Sequence, residues 1–184
     1  MDWIWIIIIV TIVLITVWVI GSYNSLVQLR NAVKDQWSQI DVHLKRRADL
    51  IPNIVETVKG YAGHEKETLE AVINARNKAV SAGTKEEEMK ANGELTNALS
   101  RLFALTEAYP ELKANTNFMD LQSTLKETED KIAFARQFYN DTVLKYKNKL
   151  EMFPTNLVAS LFGFKPELFF EATAAEKEAP KVQF

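Results

Sequence analysis

Residues 22–76, SYNSLVQLRNAVKDQWSQIDVHLKRRADLIPNIVETVKGYAGHEKETLEAVINAR, decide the fold. Leu26, Val33, Trp37, Ile40, Leu44 and Ile51 recur at intervals of seven, four, three, four and seven, which puts them on one face of a helix. Lys45, Arg46 and Arg47 interrupt that stripe with charge, and no glycine or proline breaks the run before Pro52. Proline has no amide hydrogen for residue 48 and crowds the preceding turn. The helix is therefore expected to kink at Pro52, or to restart there with Asp49 as N-cap. A further helix is expected from about Asn53 to Ala82. The stretch reads as a helical stalk, and it contains no catalytic constellation.

Immediately before it, WIWIIIIVTIVLITVWVI (Trp3–Ile20) holds 18 residues without a charge. As a helix this is about 27 Å long, enough to cross the hydrocarbon of a bilayer. Trp3, Trp5, Trp18 and Tyr23 bracket it as interfacial aromatics do. A cleaved signal peptide is the competing assignment, but a basic leading region is missing and the apolar core is too long for one. Only Met1 and Asp2 precede the segment, whereas Arg30, Lys34, Lys45, Arg46 and Arg47 follow it. The positive-inside rule then places the N-terminus outside and the rest of the chain in the cytoplasm.

The remainder continues the helical period. Thr84, with Glu87 three residues on, is a capping-box signature opening a helix whose stripe is Leu95, Leu99, Leu102, Thr106 and Tyr109, with Pro110 as its end. Residues 111–117 read as a connection, with Asn115 or Asn117 as the next cap. The longest helix runs from Phe118 to about Met152 and carries Leu121, Leu125, Thr128, Ile132, Ala135, Tyr139, Thr142, Tyr146 and Phe153 on one face. A short apolar helix follows over residues 156–162 and turns at Gly163. The organisation expected is an anchor (residues 1–21), an all-α antiparallel bundle of long, coiled-coil-like helices (22–171) and a flexible tail (172–184).

Composition narrows the chemistry. The 184 residues contain no cysteine, which removes disulfides, thiolate zinc sites and cysteine nucleophiles. The part after Gly21 has 22 basic residues against 23 acidic ones, so there is no electrostatic footprint for nucleic acid. His64-Glu65 begins the H-E-x-x-H zinc motif, but Thr68 stands where the second histidine belongs. Neither histidine falls in the Glu-x-x-His pairs of a di-iron bundle. No G-x-S-x-G elbow and no phosphate-cradling glycine loop occurs. The residues thus predict no enzyme, no metal and no cofactor.

The remaining polar candidates for buried positions are Arg46, Arg47, Asp49, Asn53, Glu56, Arg76, Glu107, Glu129 and Arg136. Charges on helices are mostly solvated, and acid–arginine pairs across a bundle fix register. The cluster Lys45, Arg46, Arg47 and Asp49 beside Pro52 stands out as a surface for a partner or anionic lipid, because long stems can pack while their heads face outward. Phe162, Phe164, Phe169 and Phe170 are the second candidate surface. They pack on the bundle, meet the membrane surface or cover a second subunit.

Five blocks carry a resemblance. YNSLVQLRNAV (Tyr23–Val33), the forty residues from Trp37 to Arg76, AYPELKAN (Ala108–Asn115), LQSTLKETEDKIAFARQFYND (Leu121–Asp141) and MFPTNLVASLFGF (Met152–Phe164) resemble, in order, the blocks of the LemA family of bacterial membrane proteins. The likeness reaches to about Glu171. It implies one N-terminal span, an N-out and C-in orientation, and a bundle of long helices. It implies no reaction or active site. It also implies a link to membrane homeostasis and specialised bacterial membrane compartments, and membrane-protein partners such as a zinc metalloprotease. The function expected is a non-enzymatic, membrane-anchored scaffold or adaptor at the cytoplasmic membrane, working as a homo-oligomer or with another membrane protein. The alternative is a lipid or peptide sensor built on the basic cluster and the C-terminal aromatics.

Overall fold

The computed structural model describes residues 2–170, and the tail expected from residue 172 lies outside them. Six helices follow one another: α1 (Asp2–Ala62), α2 (Lys66–Ser81), α3 (Lys85–Thr106), α4 (Pro110–Lys113), α5 (Thr116–Glu151) and α6 (Thr155–Leu161). No strand occurs among the described residues. The all-α class follows directly from the 3.6-residue recurrence of apolar positions.

The first helix decides against one of the two alternatives at Pro52, the restart with Asp49 as N-cap. It is unbroken from Asp2 to Ala62, with Pro52 inside it, and the break falls at Gly63–Glu65 instead. The reason is local and visible. Pro52 faces solvent and leaves the Ala48 carbonyl without its usual donor, and Nε of Arg76 on α2 donates to that carbonyl at 3.2 Å. With the carbonyl satisfied from outside, the cost of an interior proline falls and the helix continues. At Gly63, by contrast, a side chain would meet the Lys59 carbonyl oxygen at 3.0 Å.

Other boundaries follow the expected punctuation. Thr84 caps α3, its hydroxyl accepting from the Glu87 amide at 3.2 Å. The Glu87 carboxylate reaches back to the Gly83 amide at 3.1 Å. Asn115 caps α5 by accepting from the Phe118 amide at 2.9 Å. Pro110 does not end a helix; it opens the short α4, where its missing amide hydrogen costs nothing.

The chain forms two compact units, one of residues 2–38 and 137–169, the other of residues 39–136 with Phe170. The second has an aliphatic core. Ile51, Ile54, Val55 and Val58 of α1 pack with Leu69 and Val72 of α2, Leu95, Leu99 and Leu102 of α3, Leu112 of α4, and Phe118 and Leu125 of α5. Each fully buried aliphatic side chain contributes about 1.5–3 kcal/mol of transfer free energy. Helices α2 and α3 pack against each other across the short turn at residues 82–84.

The first unit is built differently. Residues 3–18 of α1 have exposed side chains, and this is the helix, among those described, long and apolar enough to cross a membrane. The hydroxyls of Thr11 and Thr16 within it donate to the Ile7 and Ile12 carbonyls at 2.8 Å, so neither is left unpaired in hydrocarbon. Beyond the apolar segment, α1 runs beside the C-terminal half of α5. Trp37 meets Tyr139 edge-on at 5.4 Å, and Leu26, Val33, Val143 and Tyr146 are buried. Phe153, expected on the buried face of α5, is 78% exposed, because α5 stops at Glu151 before its turn returns to that face.

Candidate functional site

The basic cluster is divided by helical geometry. Arg47 lies three residues after Leu44 and four before Ile51, on the buried stripe of α1, and is wholly enclosed. Its Nη1 donates to Glu129 Oε1 (3.0 Å) and Oε2 (3.2 Å) and to Thr96 Oγ1 (3.0 Å), while Nη2 donates to the carbonyl and side-chain oxygen of Asn92. Thr96 Oγ1 in turn donates to the Asn92 carbonyl, and Asn92 Nδ2 to the Glu88 carbonyl. A guanidinium buried without these acceptors would cost several kcal/mol, on the order found for broken interior ion pairs. The arrangement ties α1 to α3 and α5. Arg47 is thus an internal clasp and presents nothing to a partner, contrary to the expectation for the cluster.

Lys45 and Arg46 are exposed, as is Asp49, which pairs with Lys45 at 3.6 Å. Of the other polar candidates for buried positions, Asn53, Glu56 and Glu107 face solvent. Glu56 pairs with Lys59 and Glu107 with Lys113 along the surface. Arg76, Glu129 and Arg136 are half-buried. Asn92 and Thr96 are the members of the clasp that residue order did not single out. A signal exists for the first, since Asn92 stands three residues before Leu95 in the α3 stripe, where an apolar residue is expected.

Next to this clasp, Asp41, Lys45, Asp49, Arg76, Glu88 and Asn92 line a mixed-charge recess of about 300 Å³. Partial burial pushes the Glu88 carboxyl up to about 7, and the neighbouring Asp41 carboxylate adds to this by charge and by hydrogen bonding. The Glu88 carboxyl therefore keeps its proton up to near neutrality. Among the described residues no three His, Cys, Asp or Glu side chains converge as a metal set.

A larger groove of about 800 Å³ opens between α3 and α5. Leu99, Phe103, Met119 and Leu125 form its apolar lining, and Thr96, Ser100, Gln122, Ser123, Lys126 and Glu129 its polar one.

The C-terminal aromatics also part company. Phe164 packs edge-on against Tyr23 (5.5 Å) and lies under the Arg30 guanidinium (5.3 Å). Phe169 stands 5.9 Å from the Lys147 ammonium, and the Tyr139 hydroxyl donates to the Leu168 carbonyl at 2.8 Å. Burial, with Glu167 nearby, pushes the Tyr139 hydroxyl up to about 12. Phe162 touches Tyr23 at 4.9 Å yet stays 51% exposed. Phe170, in the other unit, is buried with the Arg136 guanidinium 4.3 Å from its ring. The turn between α6 and this segment is a Schellman motif: Gly163 has φ +68°, and the amides of Gly163 and Phe164 bond to the carbonyls of Ser160 and Ala159.

The LemA family model matches residues 36–184. The chain belongs to the LemA family. Relatives of this LemA-family chain include magnetosome protein MamQ 2 of Paramagnetospirillum magneticum, 27% identical over 179 residues, covering 83% of this chain and 66% of the relative. Magnetosome protein MamQ of Magnetospirillum gryphiswaldense is 26% identical, covering 84% and 66%. Protein LemA of Metamycoplasma hominis is 24% identical over 159 residues, covering 86% and 73%. The chain spans just under two thirds of the length of the magnetosome relatives. Family and apolar helix together point to a membrane-associated protein.

Proposed function

We propose that this LemA-family protein is a non-enzymatic scaffold or adaptor anchored in the bacterial cytoplasmic membrane, its N-terminus outside and its helical units in the cytoplasm. The observation that carries it is α1: one helix holds both the apolar segment and the Arg47 clasp, so the anchor is covalently continuous with an element of the bundle core. The basic residues Arg30, Lys34, Lys45 and Arg46 that follow the span support the orientation. A scaffold of this kind acts by holding partners, either further copies of itself or another membrane protein such as a metalloprotease. The magnetosome names of the MamQ relatives fit work in membrane organisation.

Crosslinking the full chain in its native membranes, followed by identification of the captured species, tests the reading. A stable set of membrane-protein partners or self-crosslinks is expected. Turnover of a defined substrate by the purified chain would overturn it. A reporter fused after Phe184 should be active only on the cytoplasmic side.

A second reading, a lipid or peptide sensor, is favoured by the groove between α3 and α5 and by exposed Lys45, Arg46 and Phe162. Arg47 and Phe170 drop out of that surface because both are buried. Flotation of the chain with anionic against neutral vesicles separates the two readings.

A further inference from the structure

One end of the first unit carries an apolar surface that the packing leaves uncovered. Residues 152–164, MFPTNLVASLFGF, contain no charge, and α1 has none between Trp3 and Leu29. Within the segment Phe153 is 78% exposed, Leu161 77%, Met152 61% and Leu157 59%. The opposite face of α6, Val158 and Ala159, is buried, so this short helix is apolar on both sides. A cluster of this kind in water marks an interaction surface.

Its level along the unit identifies what covers it. Trp37 on α1 sits against Tyr139 on α5. Fourteen residues back along α1 is Tyr23, about 21 Å away at 1.5 Å per residue, and twelve residues onward along α5 is its end at Glu151, about 18 Å away and two residues before Phe153. The ring contact between Tyr23 and Phe162 fixes the same level from the other direction. Tyr23 stands three residues after Ile20, about 4.5 Å beyond the apolar span. The headgroup region on each side of a bilayer is about 5–8 Å deep. The uncharged corner thus lies at the depth where the bilayer interface begins, and Lys149, Glu151 and Lys165 bound it in the chain.

We propose that the α5–α6 corner is a second membrane contact, in which Phe153, Leu157, Leu161 and Phe162 enter the interfacial layer of the same bilayer that holds α1. This rests on the reading of Trp3–Ile20 as a span. Aromatic and aliphatic side chains on a short interfacial element are the residues that partition there. With two points of attachment, the first unit is held against tilting and turning about a single helix.

The chain has no cysteine, so single nitroxide labels can be placed on the full-length protein in phosphatidylcholine–phosphatidylglycerol vesicles. Phe153→Cys and Leu161→Cys report the corner, Ile12→Cys the span, and Ser38→Cys, exposed on α1, the aqueous reference. Collision with oxygen relative to a water-soluble nickel chelate should be several-fold higher at 153 and 161 than at 38. Values at 153 and 161 equal to that at 38, with 12 in lipid, overturn the proposal and leave the span intact. An aqueous value at 12 overturns both. Dipolar broadening at 153 that disappears on dilution with unlabelled chain, together with low oxygen collision, assigns the corner to a second copy and also overturns it. The labelled positions are exposed, so folding is not at stake.

Discussion

The two units solve the same packing problem with different materials. Residues 39–136 bury an aliphatic interior and set one arginine inside it. Residues 2–38 and 137–169 bury tyrosines and pair rings with one another and with cations. Aliphatic packing is strong but nearly indifferent to small slips of one helix along another, so register there needs a directional element. The Arg47 clasp provides it. Ring edges and hydroxyls are directional already, and the tyrosine-rich unit has such a contact in the Tyr139 hydroxyl that donates to the Leu168 carbonyl.

The largest effect that would break this contrast is at Glu129. Glu129→Ala strands the Arg47 guanidinium and should cost about 3 kcal/mol in denaturant unfolding of the full chain in detergent. The double variant Arg47→Met, Glu129→Leu should recover most of the loss. A neutral Glu129→Ala would mean that the aliphatic interior sets its own register. Second comes Arg76→Met, which exposes the unfilled Ala48 carbonyl and should cost about 1.5 kcal/mol. In a Pro52→Ala background, where the ladder bond is restored, the same change should cost markedly less. An additive cycle would refute the link. In the tyrosine-rich unit, Tyr139→Phe should cost about 1 kcal/mol and loosen residues 165–169, read by amide exchange.

The smallest effect concerns pH. The folded chain holds the Glu88 proton up to about 7, whereas an ordinary carboxyl releases it near 4.5. Between these values the native state binds the extra proton, so stability falls as pH rises through that window. Glu88→Gln should flatten this slope, with a gain above pH 7 of about 0.5 kcal/mol after solvent screening. An unchanged slope would place the proton elsewhere.

Much of this is legible in residue order, and what is not has a physical cause. Thr84, Asn115 and Gly163 act locally, and each caps or turns the chain where its chemistry says it should. The fate of Arg47 is also readable. Leu44 and Ile51 leave a gap of seven in the stripe, and position 47 is where a heptad gap is filled. Lys45 and Arg46 hide it by sharing its charge. Residue order leaves the choice at Pro52 open because the donor to the Ala48 carbonyl, Arg76, is 24 residues away on another helix. The exposure of Phe153 is equally out of reach, since it depends on where α5 stops and on the return of the chain through α6.

The vacancy that Pro52 leaves at Ala48 has a consequence for descent. A helix that lacks one of its own bonds needs a donor at one place on its neighbour, and a helix that lacks none makes no such demand on position 76. Positions 52 and 76 are therefore expected to change together. Lineages that exchange the proline should be free to drift at the arginine, and lineages that keep it should not.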